Sequence, residues 1–218
     1  MNSFDVLIIG GGPGGLTCAL TVCSAVNKTW FAERSIRVID DERSDLAKAK
    51  LFNAPGVPMG ALGTDVLDYM RQQIKQYQTA TFHNATAIGI ERDDDQWHVQ
   101  LQDGNVCSSA IIVIATGYKR WEMASAPIAP KTHPRGGKSD RIMLEHDGMY
   151  RIDEDLLVAG LLAGGSSQFA IATGIGAQVG VEILSIWAGK RTHVHDVPEP
   201  NEAGCTPNRA RYPHITDD

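Results

Sequence analysis

At 218 residues with a formal charge of −6, the chain has room for one substantial core, and its acidic balance argues against a general nucleic-acid binder, whose surface would be basic. Hydrophobic residues make up 43%, enough for a globular fold, and the 22 glycines fall in short clusters without a repeat, which points to tight backbone approaches. The four cysteines, Cys18, Cys23, Cys107 and Cys205, show neither CxxC spacing nor the density of a disulfide scaffold, so a reducing, cytoplasmic setting is expected.

Val6 to Ile9 is a short apolar, β-branched run, as a parallel strand covered on both faces requires. Glycines follow at once, Leu16 to Val26 reads as a helix, and "IRVID" at 36–40 reads as a second strand ending in Asp40, Asp41 and Glu42. Strand, glycine turn, helix and strand make a βαβ unit. Residues 6–26 are apolar but have no basic leader and are broken by glycines, so they are not read as a signal peptide.

Gly10, Gly12 and Gly15 stand in G-x-G-x-x-G spacing between that strand and helix. The first permits the turn, the second lets backbone approach a pyrophosphate and the third lets helix pack on strand. Pro13 fits the first helical turn, Gly14 completes the loop, and the helix N-terminus faces the phosphates with its positive end. Asp40, with Asp41 beside it, is the expected acceptor for ribose hydroxyls, although it comes late after Gly15 and implies a longer loop before the second strand.

From Lys50 the text turns to "LFNAPGVPMGALGT", a loop rich in proline and glycine. Thr64 or Asp65 is expected to cap a helix running to about Tyr77, with Val66, Leu67, Met70 and Ile74 as its apolar stripe. The segment "TAIGIERDDDQWHVQLQDGNV" predicts an antiparallel hairpin with an Asp103-Gly104 turn, and "AIIVIATG" at 110–117 predicts another buried strand. Residues 122–141 read as a loop or linker. "DLLVAG" at 155–160 is a further strand, and 169–189 a long helix. That helix approaches membrane-span length, but Gln178, Glu182 and its glycines make it a buried helix rather than a span. Residues 191–218 form a polar tail.

The glycine motif alone does not separate a nicotinamide from a flavin dinucleotide. Three later stretches do: "FNAPG" at 52–56, the meander (about 85–109) leading into Ala115-Thr116-Gly117, and "DLLVAG" followed by "SQFAIATGIGAQVGVEIL". Together they resemble the thioredoxin-reductase branch of the FAD-dependent pyridine nucleotide–disulfide oxidoreductases across most of residues 4–190. The resemblance implies an α/β, Rossmann-like FAD/NAD(P)-binding fold, a parallel sheet with helices and an inserted antiparallel meander. It implies FAD as cofactor, held by Asn53 beside the flavin ring, by Ala85 and the Ala115-Thr116-Gly117 turn toward the adenosine and pyrophosphate, by Gly160 and Leu161, and by the backbone of Gln168, Phe169 and Ala170 at the pyrimidine edge.

Two departures stand out. Leu161 occupies the position where the family carries an Asp after Ala-Gly, so a charged, hydrogen-bonding contact to the ribityl–phosphate region is replaced by an apolar one. Between Gly117 and "DLLVAG" only about 35 residues replace a whole NADPH domain, far below the roughly 100 of a usual domain, and no CxxC occurs. The expected organisation is therefore one FAD-binding domain over 1–190, with a linker at about 120–150 and a tail at 191–218.

The remaining residues carry less. Cys18 and Cys23 lie about 140° apart around one helix and read as buried apolar groups, while Cys205 reads first as an unremarkable exposed thiol and second as a cysteine for exchange with a partner. His193-Val-His195 lacks the partners of a metal site, and no metal is expected. Lys131, Arg135, Lys138 and Arg141 make a basic loop that reads first as a solvated linker and second as a dock for an acidic electron donor. Lys48 and Lys50 precede the flavin loop, and Gly176 and Gly180 permit close helix packing. The function expected is a single-domain FAD oxidoreductase exchanging electrons with an external donor or partner protein. The alternatives are direct oxidation of NAD(P)H and a non-catalytic flavin- or nucleotide-binding sensor or assembly protein. No side chain is nominated as acid, base or nucleophile; the resemblance implies a homodimer, and neither nucleic acid nor membrane is expected as partner.

Overall fold

The structure, a computed structural model, describes residues 2–93 and 96–194. In chain order it contains β1 (Asn2–Ile9), α1 (Pro13–Cys23), β2 (Ile36–Asp40), β3 (Lys50–Leu51), β4 (Ala61–Leu62), α2 (Gly63–Lys75), β5 (Ala80–Asn84), β6 (Ala87–Arg92), β7 (Trp97–Leu101), β8 (Val106–Ile114), β9 (Lys131–Thr132), β10 (Ile142–Met143), β11 (Arg151–Asp153), β12 (Leu156–Val158) and α3 (Phe169–Ala188). One sheet runs β11-β12-β8-β1-β2-β5, with β6 and β7 attached through β7 to β8. Its strands β12, β8, β1, β2 and the edge strand β5 are all parallel. β3 and β4 form a separate two-stranded hairpin, as do β9 and β10.

The sheet's centre follows from its β-branched runs. Val6 to Ile9 and Ile111 to Ile114 are buried along their whole length because helices and the meander cover both faces of β1 and β8. β8 does double duty. Its first half pairs with β7 in the meander and its second half with β12, while its whole length pairs with β1. Of the stretch "AIIVIATG", residues 110–114 are the second half of a nine-residue strand that ends before Ala115, and the Asp103-Gly104 turn closes β7 onto β8, with Gly104 at φ +86°.

Four details differ from the sequence reading. α1 begins at Pro13 and ends at Cys23, short of Val26, because tight turns beyond it drive Phe31 into the core against Trp187 of α3, ring centroids 5.6 Å apart. α2 begins at Gly63, and Leu62, not Thr64 or Asp65, is its N-cap. A Cβ at Gly63 would stand 1.7 Å from the Leu46 carbonyl oxygen, so only glycine lets the helix start against the 45–48 turn. Gly160 leaves the strand at φ +68° and opens a short 3-10 turn, Gly160–Ala163. β5 carries a half-polar sequence, "ATFHN", and pairs only with β2 at the sheet edge; its alternation is too weak to separate it from the loop before it.

The long α3 is apolar enough to cross a membrane by length and composition, but here it packs along α1. Gly176 meets Gly14 and Gly180 meets Thr21 across that interface, so the GxxxG pair brings two helices together over the sheet.

Candidate functional site: a glycine-lined cleft

The C-terminal ends of β1, β2, β8 and β12 open onto one cleft of about 440 Å³, the position at which open α/β sheets bind ligands. The Gly10 N–H donates to the Ile39 carbonyl at 2.7 Å, and its φ of +113° turns the chain sharply out of β1. A Cβ at Gly10 would lie 2.4 Å from the Ala115 carbonyl oxygen, whereas one at Gly12 would meet only Ser44, its nearest atom 3.3 Å away. Gly10 is therefore required by packing, and Gly12 borders open cleft.

Helix α1 starts at this point with Gly12 as N-cap and no side-chain cap, so its first-turn N–H groups and positive dipole end face the cleft. Helix α3 starts the same way, with Gln168 as N-cap and no side-chain cap. Gly176 touches Gly14; seven helical residues earlier, the α3 N-terminus stands about 10 Å further along. Two uncapped helix ends thus address one groove.

Asp40 reaches the cleft but is 8% exposed. Its Oδ1 accepts N–H bonds from Gly11 at 3.0 Å and Glu42 at 3.1 Å, and its Oδ2 accepts from Arg71 Nη2 at 2.9 Å. Burial opposes the charge on Arg71, but its bonds to Asp40 and Asp68 outweigh that and raise its pKa. Asp40 is held first as an anchor of the glycine turn, leaving limited capacity for a ribose. Asp41 is tied to Arg43, which also binds Glu122 through both carboxylate oxygens. The bonds Arg43 donates to Glu122 and Asp41 raise its pKa. Arg43 thereby bridges the lip after β2 and the segment after Gly117, and Lys119 with Asp45 makes a second bridge at 2.7 Å.

At the other end Asn53 Nδ2 donates to Gln168 Oε1 at 2.9 Å, joining the loop after β3 to the start of α3. Leu161, half-buried, lines the cleft, and its carbonyl accepts from His133 Nε2 at 2.9 Å. Fifteen of the expected site residues line the same cleft: Gly10, Gly12, Pro13, Gly14, Asp40, Asp41, Asn53, Ala85, Ala115, Thr116, Gly117, Gly160, Leu161, Gln168 and Phe169. Gly15 and Ala170 do not. Gly15 is buried in the helix–strand contact, where a Cβ would stand 2.0 Å from the Gly10 carbonyl oxygen, and Ala170 lies beyond the lining in α3's first turn.

Sequence reading missed Arg43, Ser44, Thr86, Lys119, Arg120 and Glu122, all of which line the cleft. Arg43 stands two residues after Asp41, which could have flagged it; the others come from loops that only the tertiary fold brings together. Cys205 and His195 lie outside the described residues, and so does most of the expected tail. Among the described residues no group of three or more His, Cys, Asp and Glu side chains could hold a metal ion.

A second constellation mimics a catalytic one. Ser108 Oγ lies 3.0 Å from His98 Nδ1, and His98 Nε2 lies 2.6 Å from Asp93 Oδ2. Ser108 is only 2% exposed between β7 and β8, which leaves a carbonyl substrate no approach to its hydroxyl. These bonds tie the meander together.

No family model matches the chain. A thioredoxin reductase from Aquifex aeolicus (strain VF5) is 32% identical over 114 residues, covering 52% of this chain and 34% of that protein. A thioredoxin reductase from Streptomyces clavuligerus is 25% identical over 175 residues, covering 78% and 49%. The chain thus spans between a third and a half of the length of these curated relatives. Among solved structures, a thioredoxin reductase from Gloeobacter violaceus superposes with a TM-score of 0.73 at 16% identity, over 91% of this chain and 100% of that one. In sequence and in fold the chain is thioredoxin-reductase-like, with a Rossmann-like sheet.

Proposed function

We propose that this chain is an FAD-binding oxidoreductase whose flavin exchanges electrons with a donor or partner protein outside the chain. The observation that carries this reading is the pair of uncapped helix N-termini, those of α1 and α3, addressing one glycine-lined cleft. Their spacing of about 10 Å gives one positive end for a pyrophosphate and another for the electron-rich pyrimidine edge of a flavin.

The residues present fit the cofactor. Gly12 leaves room for phosphate oxygens against its backbone, and Asp41, Arg43 and Thr86 offer hydrogen bonds at the adenosine end. Asn53 and Gln168 can orient the ring, with Phe169 and Ala172 closing the groove beneath it. Leu161 contributes apolar contact where an Asp would have bound, and that should weaken but not abolish affinity. When bound, the flavin supplies the redox chemistry and the protein supplies orientation and electrostatics. Residues 1–190 are assigned to one FAD-binding domain, with 120–150 in place of an NADPH domain and 191–218 as a tail.

The reading is tested by titrating purified protein with FAD and following the flavin absorbance bands and fluorescence quenching. Stoichiometric uptake, followed by anaerobic reduction with dithionite, supports it. A protein that never takes up FAD overturns it. Reduction by NADPH alone would favour direct nicotinamide oxidation over an external protein donor.

A further inference from the structure

The segment that replaces a domain is charged against the rest of the chain. Residues 117–141 carry six basic and two acidic side chains, while the whole chain has a formal charge of −6. Three of those bases are compensated, by Lys119–Asp45, Lys131–Glu145 and Arg141–Asp140 ion pairs. Among the described residues Arg120 and Lys138 have no carboxylate within ion-pair distance, and Arg135 spends one N–H on the Gly164 carbonyl at 2.9 Å. Lys48 and Lys50, on the opposite lip, are likewise uncompensated; the Lys50 ammonium sits 5.8 Å over the Phe52 ring.

A chain of contacts links the segments that carry these cations: the Arg135 N–H donates to His133 and the Arg141 N–H to the Lys138 carbonyl, and Arg120 lies two residues beyond Tyr118. Asn53 bonds Gln168; next to it, Ser167 accepts from the Tyr118 hydroxyl at 3.4 Å. The Tyr118 ring packs on His133 and under Arg141. The loop after β3 exposes apolar surface, with Phe52 59% and Met59 79% exposed. An apolar centre rimmed by like charges has the anatomy of a protein-docking face, whereas a free nucleotide's phosphates need an enclosed, converging set of donors.

We infer that the cations Lys48, Lys50, Arg120, Arg135 and Lys138, around Phe52 and Met59, form the docking face for a redox protein that carries a ring of carboxylates. The inference rests on the flavin reading, because the face surrounds the end of the cleft assigned to the flavin ring. Long-range attraction between the two rims steers the encounter, and the apolar centre supplies the short-lived contact.

The test uses the full FAD-loaded chain, with an oxidised acidic [2Fe–2S] ferredoxin as probe and a basic c-type cytochrome as its charge-reversed counterpart; binding is measured by calorimetry. The ferredoxin should bind and should weaken at least about tenfold between roughly 20 and 200 mM salt, as rim electrostatics demand. Lys48→Glu combined with Lys138→Glu should weaken it by about tenfold again, while Lys190→Glu, at the far end of α3, should not change it. Neither Lys48 nor Lys138 lines the cleft, so FAD content should stay at one per chain.

Equal or absent binding of the two probes, or a double variant that loses NADPH affinity instead of ferredoxin affinity, overturns the inference. Binding is read without using the flavin. If the protein takes up no FAD yet still binds ferredoxin in the expected way, the flavin reading fails and the docking face stands.

Discussion

Gly176 of α3 rests directly on Gly14 of α1: a Cβ on Gly176 would stand 2.1 Å from the Gly14 carbonyl oxygen. Since the neighbour is backbone, an added methyl forces the helices apart at the point where both border the cleft. Gly176→Ala should cost about 1–3 kcal/mol of stability, the usual range for overpacking. Gly174, two residues away and exposed, meets nothing within 4 Å, so Gly174→Ala should gain up to about 1 kcal/mol from helix propensity. Urea denaturation of the two variants beside the parent reads both signs. Equal effects would mean that helix propensity, rather than the interface, sets them.

Gly12 separates folding from binding. Its missing Cβ would meet only Ser44, 3.3 Å away, and otherwise open cleft, so Gly12→Ala should lose no more than about 1 kcal/mol of stability, the usual cost of alanine at an N-cap. The same methyl would stand where the proposed pyrophosphate approaches the backbone, and FAD affinity should fall at least about tenfold, or ~1.4 kcal/mol. Gly10→Ala should instead lose stability and binding together, because its Cβ collides with the Ala115 carbonyl. A fluorescence titration beside a thermal melt distinguishes the two glycines.

The contrast between these glycines marks what the sequence discloses. The fingerprint spacing located the turn and the start of α1, because strand, turn and helix are encoded locally, whereas the lining from Asn53, Ala115 to Gly117 and the start of α3 came from the likeness to thioredoxin reductases. Spacing does not say that Asp40 is already taken by Gly11, Glu42 and Arg71, since Arg71 lies 31 residues further on. Nor does it reveal Arg43 bridging to Glu122, a contact 79 residues apart. The Gly63 helix start was hidden for the same reason: Thr64 and Asp65 are good caps by residue type, but the Leu46 carbonyl next to Gly63 decides the matter.

Asp5 ties the start of β1 to the loop before β2. Burial pushes its carboxyl up, but hydrogen bonds from Arg34 and from Ser35 outweigh this and hold its pKa below the ordinary value. A carboxylate favoured in the folded state contributes stability above its unfolded pKa of about 4 and loses it as pH falls through the lower folded value. The parent should therefore lose stability on acidification below that point more steeply than Asp5→Asn, and Asp5→Asn should be less stable than the parent at neutral pH. Parallel stability curves for the two proteins from pH 7 down to acid unfolding would refute this assignment.

Burial raises the thiol pKa values of Cys18, Cys23 and Cys107, and these three are at most 3% exposed. A neutral, covered thiol is a poor nucleophile. In the folded protein at pH 8, iodoacetamide should leave these three unmodified over the time in which the urea-unfolded chain is fully alkylated, as peptide mapping would show. Rapid labelling of Cys107 in the native state would mean that the meander opens readily around β8.

His133 fastens the segment after Gly117 to the turn that lines the cleft. Its Nε2 meets the Leu161 carbonyl at 2.9 Å and its Nδ1 accepts the Arg135 N–H at 3.0 Å. The Leu161 carbonyl can only accept and the Arg135 N–H can only donate, so the two bonds together use Nε2 as donor and Nδ1 as acceptor. His133 is 4% exposed, and removing the ring leaves the part-buried Leu161 carbonyl and Arg135 N–H without these partners. His133→Ala should cost about 2–3 kcal/mol and weaken FAD binding, because Leu161 and Gly160 lose their support. His133→Gln keeps a donor for Leu161 without the acceptor for Arg135 and should recover about half of the stability. If both variants match the parent in urea midpoint, the segment is only draped over the turn, and the cleft's shape is set by β12 and α3 alone.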